Sequence, residues 1–156
     1  MRSMRINAAY FLLAAVLAPA QVLADQVQVE DAWVREGPPT TRVLAGYMQV
    51  HNRSDAPVAI TGASSPALGR IEIHRTEIRD GVARMIAEER VEIPAGESVA
   101  FAPGGLHLML FDPAEPLRAG DRIVLDLDLE GAEDVSVEAE VRRMSGDDDG
   151  HAHHHH

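Results

Sequence analysis

Residues Gly104–Asp112 read GGLHLMLFD, and the alternation inside them governs the reading of the chain. Leu106, Leu108 and Leu110 take every second position, interleaved with His107, Met109 and Phe111. A period of two marks a β-strand, whose successive side chains point to opposite faces. The leucines therefore define a face that fills a core, which leaves an imidazole and a thioether together on the other. Short runs of the same kind recur on both sides. Val27–Val34, Ala45–Asn52, Val58–Ala63, Arg70–Ile78, Val82–Glu88, Ser98–Ala102, Arg122–Leu129 and Val135–Arg142 are expected strands, which with Leu106–Phe111 make nine. Turn residues separate them at Gly37-Pro38-Pro39, Asn52–Asp55, Asp80-Gly81, Pro94-Ala95-Gly96 and Pro103-Gly104-Gly105. Many short strands at this spacing, with no 3.6-residue apolar period after the N-terminal leader, predict an all-β sandwich in one domain.

The two ends read differently from the middle. Arg2 and Arg5 precede an apolar run from about Ala8 to Leu17, and small residues close on Val22-Leu23-Ala24. That is the layout of a secretory signal peptide cleaved after Ala24. The run is short for a membrane span, which needs about 20 residues. The expected division is a signal peptide at 1–24, a β-sandwich at 25–144 and a disordered Asp- and His-rich tail at 145–156. Export to the periplasm as a soluble protein follows, with no stable membrane insertion after cleavage and a monomer as the expected state.

Composition removes several function classes. The 156 residues contain no cysteine, so the chain has no thiol for a lipid anchor, a disulfide, a nucleophile or a blue-copper site. Its 14 basic side chains, all arginine, face 25 Asp and Glu, for a formal charge of −11. Nucleic-acid binding needs a basic footprint that this balance does not supply.

A second stretch, IEIHRTEIRDGVARMIA at Ile71–Ala87, supplies a partner for His107 and Met109. Asp80-Gly81 is a preferred two-residue hairpin turn. With that turn Arg79 faces Val82, Thr76 faces Met85 and His74 faces Ala87. His74, Thr76 and Met85 then share a face, with Met85 diagonal to His74 at about 7–8 Å. His107 and Met109 sit about 6.6 Å apart along their own strand. Each element thus offers one imidazole and one thioether. Thioether sulfur with imidazole suits Cu(I), whereas zinc favours Cys, His and carboxylate, and calcium and magnesium favour oxygen. Methionine is also a common core filler, so the same residues admit a packing role.

His74, Met85, His107 and Met109 reproduce the spacing H-x10-M-x21-H-x-M. In this the sequence resembles the periplasmic copper chaperones called PCuA(C). The likeness extends through VEDAWVR, AGYMQVHN, ASSPALGRIEIH, DGVARM, VEIPAGESVAFAPGGLHLML and PLRAGDRIVLDLDL. The resemblance implies a cupredoxin-like or immunoglobulin-like Greek-key β-sandwich. It implies Cu(I) held by His74, Met85, His107 and Met109 near the surface. It also implies delivery to the copper subunit of cytochrome c oxidase, alongside Sco-type copper proteins. Met48 and His51 are further donors by chemistry but fall outside the motif; Met48 reads as packing, His51 as an exposed strand residue and Trp33 as core or rim.

His151, His153, His154, His155 and His156 follow three aspartates and form a possible secondary Cu(II) site. The run reads as a native extension or as a purification tag; its interruption by Ala152 and the retained leader favour the first. Two other functions remain open beside a non-enzymatic copper carrier. A copper-dependent redox enzyme is disfavoured because four protein ligands leave no open coordination position. A β-sandwich binding module, with the tail alone buffering metal, predicts no Cu(I) uptake by the core.

Overall fold

The computed structural model describes residues 26–144, so the expected signal peptide and His tail lie outside the described residues. Ten strands run through this segment, and none of the described residues is helical. They are β1 (Val27–Arg35), β2 (Val43–Asn52), β3 (Val58–Ser64), β4 (Leu68–Arg79), β5 (Val82–Ala87), β6 (Val91–Ile93), β7 (Ser98–Phe101), β8 (Leu106–Pro113), β9 (Arg122–Glu130) and β10 (Val135–Arg142). Nine of these match the strands expected from alternation, with ends shifted by two residues at most. The addition is β6, too short for a period of two to be recognised. Val91 and Ile93 are nonetheless buried while Glu92 is exposed.

Hydrogen bonding links the strands in the order β5-β4-β8-β7-β2-β1-β10-β9-β3-β6, and β8 also pairs with β2. The β1–β10 and β7–β8 pairs are parallel and the others antiparallel. Ile73 of β4 and Leu108 and Leu110 of β8 share one apolar cluster with Ile60 of β3 and Leu125 and Leu127 of β9. Strands from opposite ends of the order thus face each other across a single core, as in a sandwich. Leu106, Leu108 and Leu110 are all buried, which makes β8 a central strand fixed by its inward face.

Alternation fails at one informative place. Strict period two in VQVEDAWVR would put Asp31 and Trp33 on the face of Val27 and Val29. A bulge between Glu30 and Trp33 resets the register, with Asp31 at φ 48°. An inserted residue of this kind flips every side chain beyond it. Ala32 and Val34 turn inward as a result, and Trp33 moves to the outer face against Tyr47, ring centroids 4.6 Å apart. Trp33 is therefore a rim residue, and the buried Met48 is core packing.

Asn52, read from sequence as a turn residue, is 1% exposed and anchors the end of β2. Its amide donates to the carbonyls of Ala56, Ile93 and Pro94 at 2.8, 3.0 and 3.2 Å. Its carbonyl oxygen accepts from the Ser54 N–H and hydroxyl at 3.0 and 2.7 Å. One side chain thus ties the β2–β3 connection to the end of β6. Removing it strands the buried Ile93 carbonyl, at a cost of about 1–3 kcal/mol, and takes the partner from two part-buried carbonyls as well. Asn52→Ala is expected to lower unfolding free energy by at least about 2 kcal/mol in urea titration; a loss under about 0.5 kcal/mol contradicts this role.

Candidate metal centre

The β4–β5 hairpin has the register its turn predicts. Asp80 and Gly81 both adopt positive φ, 53° and 75°, and Arg79 pairs with Val82, Thr76 with Met85 and His74 with Ala87. Gly81 takes this conformation without a Cβ penalty, and Asp is among the few other residues that tolerate it. The hairpin therefore carries His74, Thr76 and Met85 on one face.

The decisive contact is not local in sequence. β4 lies beside β8, antiparallel, with His74 opposite His107 and Glu72 opposite Met109. The two imidazoles confront each other across this pair, ring centroids 6.1 Å apart and planes at 45°. All four candidate donors thus share the face turned away from the core. The histidine pair forms the middle row. Met109 lies one row toward Glu72, and Met85 one row toward Thr76 on the outermost strand. His107 is buried, His74 is largely covered, Met109 is half-buried and Met85 is 62% exposed.

Hydrogen bonding determines which ring atoms are free. The His107 Nδ1–H donates to the Gly105 carbonyl at 3.1 Å, since a carbonyl can only accept. In neutral imidazole this leaves Nε2 with its lone pair. His74 is set the opposite way round. Its Nε2 lies 2.9 Å from Glu72 Oε2. Hydrogen bonds from His74 and from the Arg70 guanidinium hold the Glu72 carboxyl below its usual range. Ionised Glu72 only accepts, so His74 Nε2 carries the proton and Nδ1 keeps the lone pair. His74 Nδ1 and His107 Nε2 are both buried and both lack a hydrogen-bond partner. Buried polar atoms are rarely left so, and two of them on adjacent strands fit a shared electrophile such as a metal ion. With thioethers on either side, the donor set matches a soft cation.

His51 has the third such atom, but it stands elsewhere. It pairs with Gln28 of β1 and Ser98 of β7, and Nδ1 lies 2.6 Å from Ser98 Oγ. Nε2 is 3.4 Å from Glu30 Oε2 but outside hydrogen-bond geometry. It is half-buried rather than exposed, because Ser98 and Glu30 flank it. Sequence reasoning passed over Glu72 and Gly105. Alternation alone places Glu72 on the face of His74, whereas the role of Gly105 depends on the folded turn.

The LpqE-like family profile matches residues 27–141. The chain belongs to the LpqE-like (PCuAC) family. Among its relatives, Lxx21020 of Leifsonia xyli subsp. xyli is 33% identical over 124 residues, covering 79% of this chain and 74% of that protein. The solution structure of CuI-DR1885 from Deinococcus radiodurans is 30% identical, with a TM-score of 0.62 over 79% of this chain and 83% of that one. The copper-bound PCuAC domain from PmoF2 superposes with a TM-score of 0.65 at 24% identity, over 76% of this chain and 94% of that domain, and supports the fold. The family is named for lipoproteins, yet these 156 residues hold no cysteine for a lipid thioether.

The Pro103–Gly105 turn holds the His107 ring through the Gly105 carbonyl, which also accepts from the Thr76 N–H at 3.1 Å. Gly104 in this turn has φ 82°, with open space where a Cβ would stand. Gly104→Val is expected to cost about 1–2 kcal/mol by conformational strain alone. Chemical denaturation measures that loss, and displaced His107 ring resonances would accompany it; wild-type stability contradicts the strain argument.

Proposed function

We propose that this protein is a copper metallochaperone: a non-catalytic carrier that binds Cu(I) through His74, Met85, His107 and Met109 and hands it to an acceptor. The observation that carries this reading is the pair of buried, partnerless lone pairs, His74 Nδ1 and His107 Nε2, flanked by two thioethers. Support comes from the 30% identical relative, whose structure was determined with Cu(I).

The chemistry of the donors suits carriage rather than catalysis. Neutral imidazole and thioether need no deprotonation to bind and bring no charge, unlike thiolate or carboxylate. They favour Cu(I), and four of them leave no open position for a substrate. Transfer would proceed by ligand exchange from the most exposed donor. Met85, on the outermost strand, is the first that an acceptor would replace. Without cysteine the carrier cannot reduce an oxidised acceptor, so thiol chemistry must come from a partner.

The proposal places the protein in the periplasm, exported by its leader. It takes the copper centre of cytochrome c oxidase as acceptor, with a Sco-type protein supplying thiols. The histidines of residues 151–156 would form a separate Cu(II) site, since imidazoles without thioether prefer the harder oxidation state.

Titration of the reduced, anaerobic chain against a chromophoric Cu(I) chelator tests this. The wild type is expected to withdraw one equivalent at the thioether site. H107A/M109L is expected to lose that competition, while Met109→Leu alone keeps the fold because volume is conserved. Undiminished competition by the double variant overturns the site. Turnover of a redox substrate by the copper form would favour the enzyme reading instead.

A further inference from the structure

A ladder of side chains runs along the donor face and ends on His74. Arg70, Glu72 and His74 occupy alternate positions of β4, opposite Phe111, Met109 and His107 of β8. The Arg70 guanidinium carbon lies 3.8 Å from the centroid of the Phe111 ring. Arg70 Nε–H donates to Glu72 Oε1 at 2.9 Å, and Glu72 Oε2 accepts from His74 Nε2–H at 2.9 Å. Side-chain exposure falls along the ladder, from 56% at Arg70 through 40% at Glu72 to 16% at His74. Each carboxylate oxygen therefore has its own partner, one toward solvent and one toward the centre.

We propose that Glu72 is a positioning residue for the metal centre: its carboxylate keeps the proton of His74 on Nε2 and aims the Nδ1 lone pair at the ion. This rests on the reading of the site as a Cu(I) centre. Its consequence is an asymmetric pair, in which His74 binds through Nδ1 and His107 through Nε2. The asymmetry follows from the different anchors of the two rings. The carboxylate comes from the strand itself, two residues before His74, whereas the Gly105 carbonyl comes from the turn before β8.

A carboxylate does more here than a neutral acceptor. Charge-assisted hydrogen bonds are roughly twice as strong as neutral ones. An anionic partner also raises the basicity of the ring it holds, and losing such a partner typically costs 10–100-fold in metal affinity. The four proposed ligands are neutral, so the Glu72 carboxylate, shared with Arg70, puts an anionic partner behind the His74 ring without entering the coordination shell. Arg70, braced on Phe111, keeps that carboxylate from turning away.

The test is nitrogen-15 NMR of the histidine rings in the full-length chain, metal-free and with one equivalent of Cu(I), at about pH 8, where an unperturbed imidazole is neutral. In the metal-free wild type, His74 is expected to show a proton on Nε2 protected from exchange with water, and His107 one on Nδ1. In E72A the His74 proton should lose protection and its ring resonances move toward a tautomer mixture, with His107 unchanged. Cu(I) affinity should fall about 10–100-fold in E72A, with E72Q between it and wild type. On copper loading the His74 Nε2 proton should persist and the Nδ1 resonance should move. Loss of that proton on loading, or wild-type protection and affinity in E72A, overturns the proposal. Should E72A lose structure, the isosteric E72Q carries the same comparison. If the wild type takes up no Cu(I), the copper reading falls, while the metal-free spectra still decide whether Glu72 sets the ring.

Discussion

The pairing of β4 with β8 is the constraint on which the rest of the molecule depends. It sets His74 opposite His107 and so brings together residues 33 positions apart. The inward faces of the same strands, Ile73 on one and Leu108 and Leu110 on the other, lie in the core. A slip of one residue would bury the imidazoles among leucines and expose the leucines to water. The hydrophobic effect on one face therefore specifies the geometry of the donors on the other. Each buried leucine stabilises the fold by about 1.5–3 kcal/mol, and that energy resists displacement of the ring it backs.

On this rigid mount the donors differ in freedom. His107 is fixed by a backbone carbonyl, His74 by a carboxylate, and Met109 is half-covered. Met85 alone rides on an edge strand whose six residues are all exposed. A carrier must hold its ion and still release it. Three constrained donors and one loose one suit that double demand. The neutrality of all four would disfavour harder dications at the proposed centre.

Much of this was legible in the sequence because its determinants are local. The period of two in Leu106–Phe111 revealed both faces of β8, and Asp80-Gly81 fixed the β4–β5 register that places Met85. The motif spacing named the four candidate donors. What escaped was non-local or too small for a pattern to form. The direct contact of β4 with β8 joins strands distant in sequence. β6 has only three residues, and the bulge at Asp31 breaks alternation where sequence alone shows no cause. Asn52 resembled any turn asparagine until its three carbonyl partners came together from two segments distant in sequence. Glu72 was within reach of alternation, but a glutamate on an outer face is usually a solvated charge. Only its bond to His74 distinguishes it.

X-ray absorption fine structure of the chain loaded with copper reads the proposed donor shell directly. At less than one equivalent of Cu(I), the expected result is two nitrogen scatterers with imidazole outer-shell features and two sulfur scatterers. A shell of nitrogen and oxygen alone, with no sulfur, would contradict it, since neither thioether would then hold the ion.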